Sequence, residues 1–175
     1  MKHAYLRYVF SALIMVSTYT SATAKPNLLD ELENYQVNSP RMISSGLPTN
    51  DQFALLKANG VTSVIDLIPG DRSAEADFLR QLDLNYVNIP VDWHNPTLAN
   101  FQQYVAAMQA SFNEPTGITL THCKLNWRGA VFTYLYRTTQ LGVDEQEAKQ
   151  DLLAIWQPDE TWQAFIDKVK SHYTP

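Results

Sequence analysis

The chain has 175 residues, 45% of them hydrophobic, and a formal net charge of −5; this is the size of one domain with a full hydrophobic core. An acidic balance with no basic run argues against nucleic acid or an anionic membrane surface as a partner. With Cys123 as its one cysteine, the chain can form no internal disulfide and no thiolate metal cluster.

In chain order, Lys2 and Arg7 precede an almost unbroken apolar run from Tyr8 to Ser17 and the small-residue site Ala22-Thr23-Ala24. This is the pattern of a secretory signal peptide cut after Ala24, so residues 1–24 are read as the signal and 25–175 as a periplasmic or secreted domain. The run falls short of the ~20 apolar residues that a membrane span needs, and no stable membrane insertion is expected after cleavage. Cleavage removes two of the 13 basic residues and none of the 18 acidic ones, taking the charge from −5 to −7.

A loose polar start leads to a short edge strand at Arg41–Ser45, closed by Gly46-Leu47-Pro48. Thr49 or Asn50 caps a helix through Lys57 that turns Phe53, Leu55 and Leu56 inward, with Asn59-Gly60 as its stop. The β-branched run Val61–Ile68 is a central strand ended by Pro69-Gly70-Asp71, and a helix with Phe78, Leu79 and Leu82 begins at Ser73. Tyr86–Val91 is a strand running into Asp92-Trp93-His94-Asn95-Pro96; Thr97 then caps a helix in which Phe101, Tyr104, Val105, Met108 and Phe112 recur at steps of three and four. Ile118–Thr121 is the last strand and feeds a helix from Arg128 to Leu141, stopped by Gly142. Helices at Asp144–Trp156 and from Asp159 to about Tyr173 complete the chain. Their Leu152, Leu153, Ile155, Trp156, Trp162, Phe165, Ile166 and Val169 read as core. The alternation predicts an α/β fold: a single three-layer domain with a mostly parallel sheet flanked by helices.

Sites in such sheets collect outside the carboxyl ends of the strands. Three ends carry chemistry: Asp66–Arg72, Val91–His94 and His122–Arg128. At the third, a strand ends in His122-Cys123 and is followed by Lys124-Leu125-Asn126-Trp127-Arg128-Gly129 and a helix. Loop amides and a helix N-terminus direct positive charge at one spot, which favours a thiolate and cradles an oxyanion. Cys123 is therefore the candidate nucleophile, Arg128 the planar fork that matches an oxyanion, and Asp92 a candidate acid, although an Asp before Asn95-Pro96-Thr97 also suits a turn. His122 reads as an orienter of the loop, His94 as a reserve acid, and Trp93 and Trp127 as aromatic walls or core. Asp66, Asp71 and Arg72 either rim the site or serve the turn. His94, His122 and His172 show no ligand spacing and no Walker or dinucleotide fingerprint is present, so neither metal nor cofactor is expected.

The His-Cys, short loop, Arg and helix resemble the phosphate-binding loop of the dual-specificity branch of the protein tyrosine phosphatases. Together with Ile43-Ser44-Ser45-Gly46-Leu47-Pro48-Thr49, Gly60-Val61, Val64-Ile65-Asp66-Leu67 and Asn88-Ile89-Pro90-Val91-Asp92, they look like the bacterial phosphatase-like domains known as the beta-lactamase-hydrolase-like family. The resemblance runs in order over about residues 41–142. It implies a cysteine-phosphatase fold and hydrolysis of a phosphomonoester through a phosphocysteine at Cys123. Arg128 would hold the phosphoryl oxygens and Asp92 would protonate the leaving oxygen. His122, Lys124, Leu125, Asn126, Trp127 and Gly129 would form the binding loop, and the partner would be a phosphorylated protein or small molecule, or another oxyanion.

The chain departs from that pattern in three places. Four residues instead of five separate Cys123 from Arg128, Gly129 and Ala130 supply no hydroxyl after the Arg, and Asn126 replaces the customary loop glycine; Asn tolerates the left-handed conformation better than most residues. A six-residue loop is the length found in rhodanese-like sulfurtransferases, which leaves open sulfur transfer through a Cys123 persulfide, or a catalytically weak anion-binding domain.

Overall fold

The computed structural model describes residues 29, 31–113 and 116–173; the signal peptide expected over 1–24, with its cleavage site, lies outside them. The described residues form eleven elements, all but the first expected from the sequence: β1 (Gln36–Ser39), β2 (Met42–Ser45), α1 (Asn50–Ala58), β3 (Val61–Asp66), α2 (Ser73–Gln81), β4 (Asn85–Asn88), α3 (Leu98–Phe112), β5 (Ile118–His122), α4 (Trp127–Thr139), α5 (Glu145–Ile155) and α6 (Glu160–Tyr173). The sheet order is β1-β2-β5-β3-β4, and only the β1–β2 pair is antiparallel. The sheet is therefore mostly parallel, with a helical layer on each face. No helix among the described residues is long and apolar enough to cross a membrane.

One expectation is corrected at the start of the sheet. The segment around Met42–Ser45 is fully buried and interior, because Gln36–Ser39, loose chain by its sequence, folds back on it and takes the edge. Two strands are also shorter than predicted. β3 ends at Asp66 and β4 at Asn88; beyond them the Ile89 and Val91 N–H groups still donate to the Asp66 and Leu67 carbonyls, but Pro90 between them has no N–H to continue the ladder.

The helices begin where their caps place them. Thr49 and Thr97 each form a complete capping box, with Gln52 and Asn100 as the reciprocal partners, and the Asp144 carboxylate caps α5. Gln52 is consequently buried, whereas Leu55 stays partly exposed.

Two apolar clusters fill the layers. On one face, α1 and α2 bury Phe53, Leu56 and Leu79 with Val64 and Leu120 of the sheet. On the other, α3, α4 and α6 bury Phe101, Tyr104, Phe132, Leu135, Trp162 and Phe165, and Cys123 lies at the edge of this cluster. The C-terminal helices are core cover as expected, except that Leu153 is 42% exposed on the outer side of α5.

Phe132 is fully buried, with edge contacts to Phe101 and Tyr104 and a stacked contact to Phe165. Phe132→Ala is expected to cost about 3–5 kcal/mol in urea denaturation, while Leu153→Ala stays within about 0.5 kcal/mol.

Candidate active site

Parallel pairing brings three strand ends together. Ser45 and Asp66 flank His122 in register, the Leu67 N–H donates to the His122 carbonyl (3.0 Å), and the Cys123 N–H donates to the Ser45 carbonyl (3.3 Å). β5 thus stops with its last residue held from both sides, and the next residue is the cysteine.

Beyond Cys123 the chain turns into α4 through one left-handed residue. Asn126 has φ 62°, a conformation that costs most L-residues but suits Gly and Asn. Its side chain is buried and works as an anchor: Nδ2 donates to the Asn34 carbonyl (2.8 Å) and to Ser44 Oγ (3.0 Å). The other side of the loop is pinned by backbone, with the Leu47 N–H on the Lys124 carbonyl (3.2 Å) and Gly46 bridged to Leu125. A Cβ at Gly46 would lie 2.6 Å from Glu33 Cβ and 2.9 Å from the Lys124 carbonyl, so only glycine fits there.

These anchors leave the inner side of the loop open. The backbone N–H groups of Lys124, Trp127 and Arg128 donate to no acceptor among the described residues, while the Gly46–Leu125 bridge occupies the edge of the loop between them. They belong to the loop and to the first turn of α4, where free N–H groups and the helix dipole favour an anion.

Cys123 is a free thiol, 1% exposed, on a cavity of about 220 Å³ that it shares with Trp93, Lys124, Leu125, Trp127 and Arg128. Arg128 Nε donates to the Val91 carbonyl (3.0 Å) and its guanidinium carbon lies 5.2 Å from the centre of the Trp93 ring. Its two terminal nitrogens bond to no described residue and are the ones able to grip an anion in the cavity. The lining carries two cationic side chains and no carboxylate.

The sequence-predicted residues divide at this point. Cys123, Lys124, Leu125, Trp127 and Arg128 meet on the cavity, whereas Asn126 and Gly129 are buried behind it as scaffold. Asp92 stands at the rim, one residue after the carbonyl that anchors Arg128; it is exposed, and its Oδ1 accepts the His94 N–H (2.8 Å). Its carboxylate therefore closes its own turn in this arrangement, and its other oxygen bonds to no described residue. His94 lines a separate surface hollow with Thr161 and Lys168. Asp71 Oδ1 accepts the Ser73 N–H at the start of α2, its expected turn role, and that backbone bond, followed by the Ser73 hydroxyl, holds its carboxyl below the usual range.

Trp93 and Trp127 line the cavity and also pack against Trp156 and Trp162, which helical spacing assigns to the core. Trp127 stacks on Trp156 (5.3 Å, 11°), Trp93 packs against Trp127, Trp156 and Trp162, and Trp156 Nε1 donates to the Trp127 carbonyl (2.9 Å). The ends of α5 and α6 therefore brace the loop. Spacing alone marks Trp156 and Trp162 only as cover, because it says nothing of which core residues lie under a site.

Behind the loop, His122 is fully buried with Nε2 3.0 Å from Glu75 Oε1 and 3.8 Å from Asp66 Oδ1. Asp66, also fully buried, accepts from the Ile68 N–H, Arg72 Nε and the Tyr86 hydroxyl, while Arg72 also pairs with Glu75. This many donors offset the cost of burying a carboxylate. Burial depresses the Arg72 guanidinium, but the hydrogen bond and charge of Asp66 outweigh it and raise Arg72 above its ordinary value. Burial, reinforced by Asp66, pushes the Tyr86 phenol up, so it stays protonated and donates. The ligand atoms of Asp66, Glu75 and His122 lie within 4.8 Å of one another and could hold a cation. Arg72 already bonds both carboxylates, and a metal would have to displace it.

No family model matches the chain. The dual specificity protein phosphatase TpbA of Pseudomonas aeruginosa is 27% identical over 161 residues, covering 85% of this chain and 72% of TpbA. The TpbA crystal structure superposes with a TM-score of 0.64 at 25% identity, over 82% of this chain and 92% of that one. A crystal structure described as a DUF442 phosphatase, from Shewanella putrefaciens CN-32, has a TM-score of 0.73 at 32% identity, covering 83% of this chain and 97% of that one.

Two departures in the loop are coupled. A Cβ at Gly129 would lie 2.3 Å from Asn126 Oδ1, so a side chain after the Arg is excluded by the residue that stands for the loop glycine. Gly129→Ala is expected to cost about 1–3 kcal/mol in thermal or urea unfolding. Asn126→Gly in the same chain should make that substitution cheaper, with a coupling of about 1 kcal/mol in the double-mutant cycle. From the fold, the loop and these likenesses together, the chain belongs to the DUF442 phosphatase family, within the superfamily of protein tyrosine and dual-specificity phosphatases.

Proposed function

We propose that the protein is an exported cysteine-dependent phosphatase that hydrolyses phosphomonoesters, with aryl phosphates such as phosphotyrosine as the favoured class. The observation that carries this reading is the meeting of Cys123, the terminal nitrogens of Arg128 and the undonated amides of Lys124, Trp127 and Arg128 at one cavity. Trp93 and Trp127 flank that cavity and suit a planar leaving group. A cysteine-to-serine variant of TpbA has been crystallised with phosphotyrosine, which supports the same class here. The signal-like first 24 residues support export.

In the proposed reaction the Cys123 thiolate attacks phosphorus. The P–S bond forms as the P–O bond to the leaving group breaks, and the electron pair of that bond goes to the leaving oxygen. The loop amides and Arg128 hold the equatorial oxygens where charge accumulates. Asp92 protonates the leaving oxygen once its turn rotates over the cavity, then as a carboxylate takes a proton from the water that attacks the phosphocysteine. That second step releases phosphate and restores the thiolate.

With p-nitrophenyl phosphate, Cys123→Ser is expected to lower kcat about a thousandfold or more; phosphate release that survives it excludes the covalent route. Asp92→Asn should slow a poor alkyl leaving group about a hundredfold and p-nitrophenolate much less. Equal rates for Asp92→Asn and the parent on both substrates would remove Asp92 as the acid. The short loop keeps one rival reading specific enough to test: sulfur transfer from thiosulfate to cyanide without phosphate release would mean a persulfide enzyme. Trp93→Ala is expected to raise KM for aryl phosphates about tenfold and to leave alkyl phosphates within about threefold. N-terminal sequencing of the expressed protein should begin at Lys25 if export proceeds as proposed.

A further inference from the structure

The charged cluster behind the loop takes no part in the reaction as proposed, yet it touches the residue that bears on the nucleophile. Successive residues at a strand end face opposite sides. His122 packs its ring edge-on against Phe53 of the α1/α2 face (5.7 Å), while Cys123 belongs to the core of the α3/α4 face. Any effect of His122 on the sulfur therefore passes through the backbone. His122 Nδ1 is buried and has no hydrogen-bond partner. The ring orientation is thus set by the Phe53 contact and by Nε2, for which Glu75 is the one group within hydrogen-bonding distance among the described residues. Glu75 is paired with Arg72, and a carboxylate at this distance calls for a donor on Nε2. Arg72 in turn is locked to fully buried Asp66, which Tyr86 and the Ile68 N–H also hold. This chain of contacts ties the first turn of α2 to the last residue of β5.

We propose that Glu75 is a positioning residue for Cys123. Through His122 Nε2 it fixes the ring and the strand end from which the sulfur is presented to the cavity. The proposal rests on reading Cys123 as the nucleophile, but two of its readouts need no turnover.

The test compares the parent protein with Glu75→Gln and Glu75→Ala, using the rate of Cys123 alkylation by iodoacetamide, steady-state kinetics with p-nitrophenyl phosphate, and the ¹⁵N spectrum of the His122 ring. In the parent, the ring should show a protonated, hydrogen-bonded Nε2. Glu75→Gln keeps an acceptor at the same place and should retain that signal, with alkylation and kcat within about threefold of the parent; Glu75→Ala should lose the signal and lower both rates about tenfold, with KM nearly unchanged. A parent ring carrying its proton on Nδ1 alone overturns the proposal, and that measurement holds even if Glu75→Ala does not fold. Alkylation rates within twofold across the three folded proteins also overturn it. If alkylation responds as expected while no variant, nor the parent, releases phosphate, the positioning role stands and the phosphatase reading falls.

Discussion

The site depends on the way Asn126 is held. A six-residue passage from Cys123 to Arg128 has to reverse the chain and start a helix at once, and it does so by placing one residue in the left-handed region at φ 62°. The anchoring bonds from Asn126 Nδ2 to the Asn34 carbonyl and Ser44 Oγ offset that conformational cost, of order 1–2 kcal/mol for an L-residue. With this turn made, α4 begins four residues after Cys123, with the first-turn N–H groups of Trp127 and Arg128 free of acceptors among the described residues. Without it, a loop this short would lose either the open amides or the inward Arg128.

The rest of the molecule can be understood as support for that turn. Burial of β2 beneath β1 brings Ser44 and Gly46 against the loop, so the antiparallel edge strand matters to the site although it carries no functional residue. The Trp127–Trp156 stack and the Trp156 bond to the Trp127 carbonyl press the start of α4 from the other side. Behind, buried Asp66 and His122 with partly buried Arg72, Glu75 and Tyr86 form a polar network in which nearly every group is matched. Such networks specify one arrangement when they are complete and are costly when broken.

Much of this was legible in the sequence. Hydrophobic period, capping residues and glycine stops place the helices to within a residue or two, and the strand end at His122-Cys123 marks the candidate nucleophile, its loop and Arg128. β1 was not legible, because Gln36-Val37-Asn38-Ser39 is polar and becomes a strand only by pairing with β2 across a tight turn. The shorter ends of β3 and β4 reflect where a neighbouring strand stops, which is tertiary information. Glu75 reads in the sequence only as a first-turn acid of α2, since nothing in the spacing joins it to a histidine 47 residues away. Asp92 shows the converse: its place at the strand end was legible, but its side chain was equally legible as a turn former, and that is the bond it makes here.

The claim that a loop one residue shorter than the superfamily pattern still forms an oxyanion nest is tested most directly by titrating the ¹⁵N-labelled protein with tungstate and following its amide resonances. The account predicts that the amides of Lys124, Trp127 and Arg128 shift together and saturate with one anion per chain, and that Arg128→Ala weakens the binding. Saturation with no movement of these three amides, or the same affinity without the Arg128 guanidinium, would contradict it.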